Sequence, residues 1–410
     1  MDVIDRRHPG IPVAPNFHRR QSILDHVRHT LAFYHPRAID PRGGFYHFLK
    51  DDGTVFDAHT RHLVSSTRYV VVWAMAARHF PDTPAYLDNA RRGLKFLREA
   101  HRNPASGGYA WQLRWENGHA AVLDATNHCY GLAFVLLAYA HALRAGITEA
   151  GAWLDEIFEL MEQHFWSSEF GLYADEATAE WQLLPYRGQN ANMHATEACL
   201  AAYEATSRPR FLDRAQRVAT NIAQRQAMLT DGLMIWEHYK SDWSVDWDYN
   251  RNDMSNIFRP WGYQPGHFTE WAKLLIRLEK HRPLPWLLPK AEALFDVAFR
   301  HAWDDAFGGL YYGFAPDLTI CDDRKYHWVQ CESMASAAVL GQRTGKADYW
   351  DWYDKLWAYC WQNWIDHEHG AWFRLLTREN VSTTDEKSPA GKVDYHTTGA
   401  CYEIIATLKE

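Results

Sequence analysis

The sequence predicts an all-α fold, an α/α barrel of six helix pairs with twelve helices, six inner and six outer. Three observations predict it. A glycine–aromatic turn recurs six times: "PRGGFYHFL" at Gly44, "ASGGYAWQL" at Gly108, "EFGLYADE" at Gly171, "TDGLMIWEH" at Gly232, "AFGGLYYGF" at Gly309 and "EHGAWFRLL" at Gly370. The spacing, roughly 60 to 77 residues, exceeds that of the common solenoid repeats. An amphipathic helix precedes each turn, and a helix apolar on nearly all sides follows it.

The amphipathic segments in chain order are "YLDNARRGLKFLREAHRN", "AWLDEIFELMEQHFW", "PRFLDRAQRVATNIAQRQ", "LLPKAEALFDVAFRHAW" and "YWDWYDKLWAYCWQNWI", leading into the second to sixth turns. Their apolar residues recur at three and four with charges on the opposite face, the pattern of a helix with one side in solvent. The segments after the turns are "RYVVVWAMAARHF", "YGLAFVLLAYAHAL", "MHATEACLAAYEA", "FTEWAKLLIRL", "WVQCESMASAAVLG" and "TTGACYEIIATL". A helix apolar all round is buried all round. "YVVVW" has the β-branching of a strand, but its place in the repeat makes it helical. The one linker-like stretch, "HRPLPWLLP", falls between repeats, so residues 1–410 read as a single catalytic domain.

Composition excludes several classes of function. The net charge is -8 and no basic stripe appears, which argues against nucleic acid. "GQRTGKAD" is one residue short of a phosphate loop and lacks the hydroxyl residue after Lys346. The longest apolar run, "GLAFVLLAYAHAL", is too short to span a bilayer. "MDVIDRRHPG" does not read as a signal peptide, and six cysteines without CxxC spacing read as reduced thiols. The expected location is the cytoplasm and the expected state a monomer or homodimer. Aromatic residues make up 15% of the chain, with 20 Trp. Flat rings suit sugars, although most must fill the core.

Polar residues collect where the inner helices begin, at one end of the predicted barrel. The first repeat places Arg61, His62 and Arg68 there, and the second Asp124, Asn127 and His128. The third, "YRGQNANMHATEA", has Arg187, Asn190, Asn192, His194 and Glu197; the fourth, "WGYQPGHFTEW", has His267 and Glu270. The fifth has Lys325, His327, Trp328, Gln330 and Glu332, and the sixth, "GKVDYHTTG", has Lys392, Asp394, Tyr395 and His396. One histidine at a helix start is an ordinary cap. Histidines at this position in repeat after repeat point to a shared site. His194/Glu197 and His267/Glu270 are three apart, so each pair can share a helix face, and a carboxylate beside an imidazole fixes its tautomer.

These motifs resemble the N-acylglucosamine 2-epimerase superfamily, which includes cellobiose 2-epimerases and metal-independent aldose–ketose isomerases acting on mannose. The resemblance covers essentially the whole chain, and "YRGQNANMHATEA", "PGHFTEW" and "DYHTTG" are closest to the isomerase branch. It implies the same six-pair barrel. By the resemblance, Arg68 contacts the reacting oxygens, His267 and His396 are acid/base catalysts, and Glu270 supports His267. His194 binds substrate and Trp328 belongs to the sugar pocket; Asn190, Asn192, Arg187, Glu197, His128 and Asp394 complete the expected binding set. The chain departs from the disaccharide epimerases at Gly391, where they have tryptophan, and at Thr397, where they have asparagine.

The expected reaction is interconversion of D-mannose and D-fructose, with lyxose and sulfonated or N-acylated hexoses as further candidates. Histidine titrates nearest neutrality and can both take and give a proton in one cycle, while an arginine keeps its charge beside an enediolate. No cofactor and no metal are expected, since no HExxH or other tight ligand set is present. Sugar 2-epimerisation is the alternative. A glycoside hydrolase would need paired carboxylates, for which "SDWSVDWDYN" offers Asp242, Asp246 and Asp248 in a loop expected over the cavity. A non-catalytic sugar binder would not require two opposed histidines. Lys325, His327 and Lys392 are candidate receivers of an anionic substituent.

Overall fold

The structure is a computed structural model that describes residues 10–253, 255–256 and 258–408. The reading of the N-terminal stretch as free of a signal peptide falls almost wholly outside them. The described residues form twelve α-helices: α1 (Arg20–Tyr34), α2 (Leu63–His79), α3 (Pro84–Phe96), α4 (Cys129–Arg144), α5 (Ala150–His164), α6 (Gln189–Thr206), α7 (Pro209–Thr220), α8 (Pro265–His281), α9 (Leu287–Ala302), α10 (His327–Thr344), α11 (Ala347–Asn363) and α12 (Tyr395–Thr407). Each even-numbered helix touches the next even-numbered one, and α12 returns to α2, which closes the inner ring. The odd-numbered helices pack outside, α3 on α2, α5 on α4, and so on round to α1 on α12. This is the predicted α/α barrel.

The sequence pattern explains the layering. Helix α7 buries Phe211, Leu212, Ala215, Val218 and Ala219, one stripe at three-and-four spacing, and turns its arginines outward. Helix α4 is buried from Cys129 through Ala142 except Tyr130, which is partly covered. Its Leu136 is wholly enclosed; truncating such a side chain to alanine costs about 2–5 kcal/mol. "YVVVW" lies within α2 and is helical.

The recurring turns are small hairpins built alike. Ile39 bridges Phe45, Arg102 bridges Tyr109, Trp303 bridges Leu310 and Ile365 bridges Trp372. Asp40, Asn103, Asp304 and Asp366 open these four turns and accept from the backbone two residues on. The named glycines take positive φ, except that in the second turn Gly107 does so rather than Gly108. Side chains on two inner helices and on the strand leading into a third reach back to their hairpins. Asn127 accepts from the Tyr109 amide, Asn192 from Tyr173 and Gln330 from Leu310, at 3.1, 2.9 and 3.0 Å. These side chains therefore lock turn to helix.

Short strands, not expected from the repeat, link the loops at the mouth of the barrel: Thr60–His62 with Gln112–Glu116 and His119–Asp124, and Phe48–Lys50 with Glu386–Ser388. The second pairing ties the first repeat to the last. Among the described residues no helix is long and apolar enough to cross a membrane.

Candidate active site

The inner helices begin around a cavity of about 740 Å³, counted to its open mouth. Arg68, Asn190, His194, His267, Glu270, Trp328 and His396 all line it. His267 and His396 both lie close to the Trp328 indole, with ring centroids 5.1 and 5.7 Å away.

His267 sits on the first turn of α8 with Nδ1 2.9 Å from Oε1 of Glu237. The amide of Gln189 stands beside them. Its Oε1 accepts from the Trp271 indole N–H at 2.7 Å, and indole is only a donor. The Gln189 NH₂ must therefore face Glu237, whose oxygens lie 2.9 and 3.1 Å away. Glu237 is thus held as an acceptor. The Gln189 Nε2 also lies 3.0 Å from Nδ1 of His267, and with Nδ1–H donating to Glu237 the Nε2 of His267 is left as the basic nitrogen. His396 repeats the device: its Nδ1 is 2.7 Å from Oε1 of Glu332. Burial, then the nearby Arg68, His194 and Lys273 charges, push the His396 pKa well below the ordinary histidine value, so the ring is neutral.

His194 pairs with Glu197 at 2.9 Å as the i,i+3 spacing predicts; burial lowers its pKa although Glu197 opposes this. Burial would raise the Glu197 carboxyl, but hydrogen bonds from His194 and Tyr395 hold it well below the carboxylate range. Glu270 departs from expectation. It does not hold His267; it lies 3.8 Å from Nδ1 of His194 and close to His396 and Glu332 on the cavity floor. Burial, with the Glu332 charge adding, pushes its pKa well above the carboxylate range, so it carries a proton.

Arg68 is clamped rather than free to swing. Its Nη1 donates to the Gly391 carbonyl at 2.6 Å and its Nη2 to the Tyr130 hydroxyl at 3.2 Å. Phe134 and Tyr395 lie against the guanidinium at 4.5 and 4.9 Å. Gly391 has φ +84°, and a Cβ there would meet Arg68 and Phe258 at 3.7 Å. A tryptophan at this position would be strained, which gives a physical sense to the departure from the disaccharide epimerases.

Several expected binding residues lie elsewhere. Asn192 is wholly buried on the Tyr173 backbone. Arg187 donates to the Leu184 and Tyr186 carbonyls. His128 pairs with Glu176 at 3.1 Å and stacks on Trp111, outside the cavity. Asp394 is buried behind the site, where it accepts from Lys392, Tyr34 and Thr397. Arg61 and Lys325 are buried on Asp40 and Asp304, the aspartates of two turns. Of the candidate anion receivers, Lys325 is therefore absent from the cavity, Lys392 is committed to Asp394 and the Trp372 carbonyl, and His327 is held neutral by burial, then by Lys392. Asp242, Asp246 and Asp248 do not line the cavity; Phe258 and Pro260, further along the same loop, do. Glu237, Gln189, Tyr130 and Tyr312 were not anticipated. Glu237 follows the fourth glycine turn directly, and its polarity beside buried Trp236 was the available signal.

A six-pair α/α barrel with two carboxylate-held histidines, an aromatic wall and a clamped arginine at one end defines a sugar-handling class of enzyme. The family model of N-acylglucosamine 2-epimerase (GlcNAc 2-epimerase) matches residues 43–400, and the chain belongs to that family. It is 51% identical to a D-mannose isomerase of Marinomonas mediterranea, over 96% of this chain and 99% of that one. It is 36% identical to a D-mannose isomerase of Thermobifida fusca, over 86% of each chain. A crystal structure of a D-mannose isomerase superposes with a TM-score of 0.93 at 51% identity, covering 96% of this chain and 100% of that one.

Proposed function

We propose that the protein is a metal-independent aldose–ketose isomerase that interconverts D-mannose and D-fructose through an enediolate. The observation that carries the reading is the matched pair of histidines, His396 on Glu332 and His267 on Glu237, each with Nε2 left basic beside Trp328. The similarity to D-mannose isomerases over nearly the whole chain supports the choice of sugar.

His267 assists ring opening by moving a proton at O5. On the open-chain aldose, His396 takes the C2 proton through Nε2. The C2–H electron pair becomes the C1=C2 bond, and the carbonyl pair moves to O1, where it is protonated. Arg68, held rigid by Gly391 and Tyr130, stabilises the negative charge while it resides on the oxygens. The O2 proton then leaves, C2=O forms, and the C1=C2 pair takes the proton from His396 at C1. One hydrogen has moved from C2 to C1 and one from O2 to O1, with no redox partner. Glu270, protonated on the floor beside His194 and His396, supplies a hydrogen-bond donor that adds no negative charge near the enediolate.

A neutral hexose fits better than a phosphorylated one, because Lys392 is neutralised by Asp394 and Lys325 by Asp304. The six thiols are unpaired, the state a reducing compartment maintains, which supports a cytoplasmic location. The test is NMR of D-mannose in D₂O with the enzyme. Fructose deuterated at C1 is expected. Glucose accumulating ahead of fructose would make the enzyme a 2-epimerase, and sugar binding without turnover would make it a binding protein.

A further inference from the structure

Behind the floor of the sugar cavity, where the inner helices end, a second cavity, about 2640 Å³ counted to its open mouth, opens to the opposite face of the barrel. Glu332 borders this rear cavity while its Oε1 holds His396 in the front one. Lys273, on the third turn of α8, borders only the rear cavity. It is 6% exposed. Its ammonium touches Oε2 of Glu332 and lies 2.8 Å from Oε2 of Glu403. One carboxylate thus joins a buried cation on its rear side to a catalytic imidazole on its front side.

A buried cation of this kind is costly without partners. Burial works to discharge Lys273, but the Glu332 and Glu403 carboxylates, with Glu197 beyond them, hold its pKa well above the lysine value. The titratable and charged groups around Glu332 come from its own helix, with Cys331, and from four other inner helices: Arg68 on α2; His194 and Glu197 on α6; Glu270, Lys273 and Arg277 on α8; Tyr395, His396 and Glu403 on α12. Lys273 is the cation in direct contact with Glu332; Arg68 is spent on Gly391 and Tyr130.

We infer that Lys273 is a positioning residue for His396: through Glu332 it fixes the imidazole with its proton on Nδ1 and its lone pair on Nε2, facing the sugar. The inference rests on the reading of His396 as the C2 base. Without the ammonium, Glu332 and Glu403 share a low-dielectric pocket in which the remaining cations, Arg68 and Arg277, are bonded to other groups, and charge repulsion favours a proton on the pair. A protonated Glu332 donates to Nδ1 of His396. The ring proton then moves to Nε2, which can no longer take a proton from C2.

The decisive experiment combines ¹⁵N NMR of the His396 ring in the resting protein with the pH dependence of kcat on D-mannose, for Lys273→Met, Lys273→Arg and Glu403→Gln. Lys273→Met is expected to shift His396 from the Nδ1–H to the Nε2–H tautomer. It should lower kcat at least about tenfold with little change in KM, and move the acid limb of the profile to higher pH. Lys273→Arg and Glu403→Gln should keep the wild-type tautomer and limb. If Lys273→Met does not fold, Lys273→Met/Glu403→Gln, which removes one charge of each sign, should show the same tautomer switch. An unchanged tautomer and limb would overturn the inference, as would failure of both variants to fold, since Lys273 would then serve stability alone. The NMR comparison needs no turnover. A wild-type protein inert on D-mannose would refute the isomerase reading and leave the tautomer result to decide the role of Lys273.

Discussion

The Nδ1 atom of His267 lies 2.9 Å from Oε1 of Glu237, which stands thirty residues earlier in the chain. Glu270, one turn along the helix of His267, faces His194 instead, at 3.8 Å. Both acid/base histidines of the proposed mechanism are therefore oriented from a preceding segment of the barrel, His267 by Glu237 and His396 by Glu332 on α10. Glu237 reaches His267 from the loop that links α7 to α8 within the fourth repeat, whereas Glu332 reaches His396 from the fifth repeat to the sixth.

Glu237→Gln should reduce kcat with little change in KM, because Glu237 does not line the sugar cavity but sets the tautomer of a residue that does. A loss between about 10-fold and 10⁴-fold is expected, bounded above by the contribution of a positioned acid/base group. Steady-state kinetics on D-mannose measures it. Wild-type kcat in this variant would remove Glu237 from the mechanism.

Arg68→Lys should remain impaired although it keeps a charge. The guanidinium spans Gly391 and Tyr130 with two separate nitrogens and lies 4.5 and 4.9 Å from the Phe134 and Tyr395 rings, a geometry that an ammonium cannot reproduce. Loss of a preorganised donor costs about 3 kcal/mol in the transition state, close to 10²-fold in rate. An effect confined to KM would make Arg68 a uniform binder of sugar.

Exhaustive chelation should leave turnover unchanged. Two triads, His194/Glu197/Glu270 and Glu270/Glu332/His396, bring possible ligand atoms within 4.8 Å. Their histidine Nδ1 atoms are already committed to Glu197 and Glu332, Lys273 sits against Glu332, and Glu270 carries a proton. Activity lost on chelation and restored by one divalent ion would overturn metal independence.

The barrel was legible because burial imposes a period. Helices enclosed on all sides, such as α4, and helices enclosed on one stripe, such as α7, leave different patterns at a fixed spacing. The cavity-facing His194, His267, Trp328 and His396 were legible because they recur at helix starts. What stayed hidden was direction. Asn190 and Asn192 are two residues apart on one helix, yet Asn190 borders the cavity and Asn192 pins Tyr173. Residue type cannot separate them; the hairpin packed behind Asn192 does. Glu237 was hidden for a different reason: its partner is thirty residues away, and spacing arguments reach only one or two helical turns.

Stability should fall as pH drops below about 6.5. Burial, the largest cause in each case, holds His26, His62 and His141 at a pKa of about 3 and His101 and His238 at about 4. Their contacts agree with neutral rings: His26 accepts from the Trp372 indole at 2.9 Å and His62 accepts from the Val64 amide at 3.2 Å. Below pH 6.5 the unfolded chain binds protons that the folded chain refuses, so stability rises with pH in that window and is lost as pH falls. Each fully displaced histidine contributes about 1.4 kcal/mol per pH unit. Asp175, pushed up to about 8 chiefly by burial, acts oppositely between the ordinary aspartate value and its own, because there the folded state holds the extra proton. Glu270, Glu403 and Asp296, whose carboxyls burial also raises, act with Asp175. His47, His79, His327 and His396 are lowered by burial too and join the five, so the histidines set the sign. Denaturant unfolding at pH 7, 6 and 5 should show midpoints falling at constant slope, most steeply between 6 and 5. A flat or rising midpoint over that interval would mean that these histidines are protonated in the folded protein.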